Sequence, residues 1–67
     1  PPALFRSKKE LEVLARLAMG ATNAEIADYF SLTLNTVKFH IENIFKKLDV
    51  SNRTQAVRVG RELGHLA

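Results

Sequence analysis

Cysteine does not occur in these 67 residues, so neither a disulfide nor a thiolate metal site holds the chain together. That absence suits a reducing cytosol. No apolar run approaches the roughly 18 residues of a membrane span, and there is no signal-peptide pattern. Apolar and polar residues nowhere alternate at strand spacing, and repeats and low-complexity tracts are missing too. His40 and His65 stand far apart, with no cysteine and no Glu-x-x-His pattern nearby, so the usual metal constellations are excluded. No nucleophile is paired with a base, and no glycine-rich loop is present to cradle a phosphate. The expectation is a chain without metal, cofactor, membrane segment or enzymatic activity.

What is there has the composition of a small globular domain. Apolar residues make up 46% and charged residues 25%, a balance that argues against disorder. The length suffices for one domain with a limited core, because a chain this short buries only about 60% of its unfolded surface. Ten basic against seven acidic side chains leave a net charge of +3, which permits nucleic-acid binding without requiring it. The chain opens Pro1-Pro2-Ala3 without an initiator methionine. A Pro-Pro opening suits the end of an interdomain linker. Residues 1–5 are therefore read as a linker remnant and 6–67 as the folded domain, with a regulatory domain expected on the N-terminal side.

Capping signals divide the domain into four helices. Ser7 with Glu10 has the spacing of a capping box, and Gly20 suits the left-handed position that ends a helix, so the first helix is expected over 8–19. Its apolar stripe is read as Leu11, Leu14, Ala15 and Ala18. Thr22 with Glu25 opens a second helix over 23–30, with Ala24, Ile26, Ala27 and Phe30 as apolar surface. Eight residues are too few for a helix to stand alone, so its stability must come from packing. A short connection, Ser31-Leu32-Thr33, leads to a third helix over 34–48, with Thr33 as its cap. Two helices joined by so short a turn form the helix-turn-helix pattern. Ser51 is expected to cap a fourth helix over 52–63 ended by Gly64, with Ala56, Val57, Gly60 and Leu63 inward and Val59 outside that stripe.

The third helix carries the most information. Val37, Ile41, Ile44 and Leu48 recur at i, i+4, i+7 and i+11 and must pack on something. Asn35, Lys38, Phe39, Glu42 and Lys46 occupy a different and mostly polar face. A helix committed to a core on one side and carrying hydrogen-bonding groups on the other suits the major groove of DNA. An amphipathic surface helix would show the same pattern.

Six stretches in order go further: Glu12-Val13-Leu14, Gly20-x-Thr22-Asn23-x-Glu25-Ile26-Ala27, Thr36-Val37-Lys38-x-His40, Asn43-Ile44, Lys47-Leu48-x-Val50 and Arg53-Thr54-Gln55-Ala56-Val57. With these the chain resembles the LuxR-type (GerE or NarL/FixJ-type) DNA-binding domain of bacterial transcription regulators. Two departures stand out. Arg6 takes the place of an apolar residue common in the family, a space that Leu4 or Phe5 can fill. Glu42 falls where some members carry a basic residue on the groove-facing side.

The resemblance implies an all-α, four-helix helix-turn-helix domain that binds double-stranded DNA in the bacterial cytoplasm, at the nucleoid. It implies the C-terminal effector domain of a response regulator or quorum-sensing regulator, working with RNA polymerase in the full-length protein. Base contacts are expected from Lys38, Phe39, Glu42 and Asn35. Lys38 suits guanine O6 or N7, and Phe39 suits a thymine methyl unless it is an extra core or interdomain aromatic. Glu42 either accepts from cytosine N4 or pairs with Lys38 or Lys46, each four residues away. Phosphate contacts are expected from Thr22, Asn23, Thr36, Lys46 and Arg53, with a structural role for Arg53, paired with Glu25, as the alternative. Lys47 is read as packing through its stem and His40 as a packing or backbone-contact residue. The fourth helix resembles the family's dimerisation helix, with Gln55, Arg58, Val59 and Glu62 as its partner face, so that a homodimer would read inverted half-sites. Two other readings are region four of a bacterial sigma factor, which shares the Glu-Ile-Ala stretch, and a helical protein-interaction module that binds no DNA.

Overall fold

The apolar stripe of the third helix is the axis of the fold. The computed structural model describes Phe5 and residues 7–66, and among these it contains α1 (Lys8–Ala18), α2 (Asn23–Phe30), α3 (Leu34–Leu48) and α4 (Arg53–Glu62), without strands. The all-α expectation holds, and each helix boundary lies within one residue of its expected place. Val37, Ile41, Ile44 and Leu48 are all buried, and α3 packs against α1, α2 and α4. The largest fully buried side chains are Leu14, Ile26, Ile44, Val13 and Val37. Each contributes about 1.5–3 kcal/mol over exposure, a large share of the margin that so small a domain can have.

The connections are set by local chemistry. Gly20, at φ +85°, ends α1: its N–H bonds to the Leu17 carbonyl and the Ala21 N–H to the Arg16 carbonyl, both at 3.1 Å, which is a Schellman motif. Gly64 closes α4 in the same way, through Arg61 and Gly60. Ser31 and Asp49 take the equivalent left-handed conformation, both at φ 55°, without being glycine. Gly60 lies on the buried face of α4, where a Cβ would come within 3.2 Å of Leu14 Cδ2 and Leu66 Cδ1. The missing side chain lets α4 settle closely on α1.

Two caps differ from expectation. Ser7 has extended cap geometry, but its side chain makes no capping bond. The Glu10 carboxylate, expected to reach back to it, turns inward, is 5% exposed and pairs with Lys47; a carboxylate held inward by an ion pair does not return to the cap. At α4 the cap is Asn52, which accepts from the Gln55 N–H at 2.9 Å. Ser51 instead donates from its N–H and its hydroxyl to Gln55 Oε1, at 3.1 and 3.2 Å.

Stripe assignments shift as well. The buried residues of α1 are Glu10, Val13, Leu14 and Leu17, and Ala15 is exposed. On α2, Ala24 is exposed too. On α4, Val59 is partly buried and packs against the core, whereas Leu63 is 37% exposed. A single stripe allows for one neighbour only: α1 must face both α3 and α4, and that widens its buried arc. Phe5, expected in the linker remnant, is buried, and its ring stands edge-on to His65 at 4.9 Å. Pro1 to Leu4, Arg6 and Ala67 lie outside the described residues.

Candidate nucleic-acid interface

Two helix N-termini and one helix face form the candidate interface. At α2, Thr22 N–H donates to Glu25 Oε1 at 2.8 Å, and Glu25 N–H donates to Thr22 Oγ1 at 3.1 Å. This reciprocal capping box leaves Asn23 as the first helical residue. The bond from the Thr22 backbone is the main reason why the Glu25 carboxyl sits below its ordinary pKa; the Thr22 side chain adds to the effect and the Arg53 charge contributes less. At α3, Thr33 accepts from the Thr36 N–H at 3.1 Å, and the two hydroxyls lie 2.9 Å apart. N-terminal N–H groups with hydroxyl and amide side chains around them suit phosphate oxygens.

The exposed face of α3 runs through Asn35, Lys38, Phe39, Glu42 and Lys46, directly behind the buried stripe. Phe39 is 59% exposed, and this removes its alternative as a core aromatic. Its nearest aromatic neighbour is His40, at 6.1 Å between ring centroids. Glu42 forms no ion pair with Lys38 or Lys46 among the described residues, where the ion pairs are Lys47–Glu10 and Arg58–Glu62. The intramolecular option for Glu42 is therefore not realised. Neighbouring lysines differ sharply: Lys46 points outward, whereas Lys47 reaches Glu10 and stands 5.4 Å from the Phe5 ring centroid. His40 is partly buried, and its Nδ1 has no hydrogen-bond partner among the described residues.

Arg53 lies apart from this face. It is partly buried, and its Nη2 donates to the Leu17 carbonyl at 3.0 Å and to the Ala21 carbonyl. No ion pair joins it to Glu25; the link is the weaker field noted above. On α4, the four residues expected to face a partner do not share one exposed surface. Arg58 and Glu62 are exposed and 3.4 Å apart, Val59 turns to the core and Gln55 serves the helix cap. An open groove of about 510 Å³ runs instead along Leu17, Arg53, Thr54, Val57, Arg58, Arg61 and Glu62. Sequence reasoning missed Thr54, Val57 and Arg61 because the wall they complete is Leu17, on another helix.

The arrangement has close counterparts. A family model described as "Bacterial regulatory proteins, luxR family" (GerE) matches residues 7–60. The chain belongs to the LuxR family of bacterial regulatory proteins. It is 56% identical over 50 residues to the transcriptional regulatory protein LiaR of Bacillus subtilis (strain 168), covering 75% of this chain and 24% of LiaR. It is 53% identical over 57 residues to the transcriptional activator protein EsaR of Pantoea stewartii, covering 85% of this chain and 23% of EsaR. The solved structure of the transcription factor GerE superposes with a TM-score of 0.88 at 30% identity, over 98% of this chain and 97% of that one. The chain thus spans about a quarter of the length of these curated relatives and nearly all of the solved GerE structure. As a LuxR-family domain it carries the DNA-binding unit of a transcription regulator. No helix among its described residues is long and apolar enough to cross a membrane.

Proposed function

We propose that this domain binds double-stranded DNA sequence-specifically as the C-terminal effector domain of a transcription regulator, with α3 in the major groove and α2 across the phosphate backbone. The observation that carries this reading is the two-sidedness of α3: Val37, Ile41, Ile44 and Leu48 are buried, while Asn35, Lys38, Phe39, Glu42 and Lys46 are exposed along the opposite side. Lys38 donates to guanine and Phe39 packs on a thymine methyl. Asn35 and Glu42 complete the base-reading set, with cytosine N4 the donor that suits Glu42. Thr22, Asn23, Thr36 and Lys46 hold phosphate oxygens and fix the register of the helix without reading sequence.

Arg53 leaves the set of phosphate contacts in this reading, because its Nη2 is bonded to two carbonyls within the domain. Two copies meet through α4 and read inverted half-sites. The surface that supports this role is the groove along Thr54, Val57, Arg58 and Arg61 rather than Gln55 and Val59. A full-length regulator would present the bound domain to RNA polymerase.

Fluorescence anisotropy with duplex DNA at several salt concentrations tests the reading. Affinity should fall log-linearly with salt, and Lys46→Ala should reduce the slope by about 0.9, the yield of one phosphate contact. A folded sample that binds no duplex at low salt refutes it.

A further inference from the structure

Arg53 opens α4, yet its guanidinium serves the connection between α1 and α2. The Leu17 carbonyl belongs to the last turn of α1, where carbonyls lack intrahelical partners, and it already accepts the Gly20 N–H at 3.1 Å. The Ala21 carbonyl belongs to the residue just before Thr22, the cap of α2. A single Nη2 bonds both, and a planar guanidinium holds such a geometry more rigidly than an ammonium does. The Schellman bonds of Gly20 and Ala21 fix the turn locally and Ala21 packs against the core, but side chains add little at its centre: Met19 is 71% exposed, and a Cβ on Gly20 would have nothing within 4 Å. The residues after the connection are Thr22 and Asn23, at the phosphate-facing end of α2.

We infer that Arg53 is a positioning residue for DNA binding: by tying the Leu17 and Ala21 carbonyls together it presets the N-terminus of α2 for one phosphate, and it does not itself touch DNA. The inference rests on the phosphate role given above to Asn23 and its neighbours. It also accounts for a basic side chain at a family motif position that would otherwise be counted as an electrostatic contact.

The test uses the 67-residue chain and one duplex selected by it from a randomised pool. Affinities of wild type, Arg53→Gln, Arg53→Lys, Asn23→Ala and the Asn23→Ala/Arg53→Gln double variant are measured between about 50 and 200 mM salt. Each is corrected for the folded fraction from urea unfolding. Arg53→Gln should weaken binding by the folded protein about tenfold, one decade of binding constant, with the salt slope unchanged. Arg53→Lys should not restore it, and the loss should nearly vanish in the Asn23→Ala background. Should Arg53→Gln fail to fold, Arg53→Lys supplies the same readings.

A slope lowered by about 0.9, with affinity restored by lysine, makes Arg53 a direct phosphate contact and overturns the inference. Reduced stability with unchanged affinity makes it merely structural and overturns it as well. If Asn23→Ala weakens binding but the Arg53→Gln loss simply adds to it, the inference fails and the phosphate reading of Asn23 stands. Full affinity in Asn23→Ala removes that phosphate reading, and the inference with it.

Discussion

The Lys47 ammonium, near the end of α3, meets the carboxylate of Glu10 in the first turn of α1. Thirty-seven positions separate the two residues, and the contact joins α3 to α1, the helix that opens the domain. The Glu10 side chain is 7% exposed and that of Lys47 35%, so this pair is only half-screened by water. Removing one partner leaves a buried carboxylate without its cation, which costs more than the pair itself contributes.

Lys47→Met should therefore lower stability by about 1–3 kcal/mol. Glu10→Leu combined with Lys47→Met should recover much of that loss, because the buried charge goes with its partner. Urea unfolding of the two single variants and the double variant measures this. Strictly additive losses would show that the two side chains do not interact.

The turn between α2 and α3 holds Ser31 in the left-handed region at φ 55°, a conformation in which a Cβ crowds the following carbonyl. Ser31→Gly should relieve it and stabilise the domain by about 1 kcal/mol. For a domain of this size that amounts to about 4–8 °C in melting temperature. Asp49→Gly, at the same φ, should gain less, because aspartate tolerates this region better than serine. Thermal melts of both variants decide the order.

Glu25 supplies a pH signature. Its carboxyl is held below its ordinary pKa, first by the bond from the Thr22 backbone, then by the Thr22 side chain and the Arg53 charge. A carboxyl with a depressed folded pKa adds stability that is present above the unfolded pKa and lost as pH falls through the folded one. Wild type should thus exceed Glu25→Gln in urea midpoint at neutral pH, and the difference should close in acid below the ordinary glutamate range. A difference that persists at low pH would assign the effect to something other than this charge.

Glu42 is the acidic member of the exposed face of α3, and it has no ion-pair partner among the described residues. Glu42→Gln should reorder affinities across duplexes that differ at single base pairs, with at least one ratio changing about fivefold or more. Uniformly tighter binding with an unchanged order would make the carboxylate a repulsive bystander.

The α4 groove gives a prediction about pairing. Thr54 is exposed, on a wall that already carries Arg58 and Arg61. Thr54→Arg should leave binding to a single half-site unchanged and weaken cooperative binding to an inverted pair, since a two-fold contact brings like charges together. Equal cooperativity in both proteins would move the pairing surface elsewhere.

Most of what depends on near neighbours along the chain is legible in the sequence, the Asn52 cap of α4 excepted. The Thr22–Glu25 box, the Thr33 cap, the glycine ends at 20 and 64 and the inward stripe of α3 all follow from interactions within a few residues or from φ preferences at one. Together they yield the four helices and their boundaries. The exposed set on α3 follows as well, because a helix that commits one side to a core leaves the opposite side to solvent. Only the tertiary structure decides what rests on distant partners. Glu10 could belong to a cap or to an ion pair, and the arrival of Lys47 settles it. Arg53 could face a phosphate or the interior, and two carbonyls more than thirty residues away draw it inward. Val59 lies outside the stripe suggested by spacing, yet it packs against the core, because Gly60 lets α4 approach Leu14 closely. Local sequence determines where a helix starts, stops and turns its apolar side. Long polar side chains choose among partners that exist only after the helices have docked.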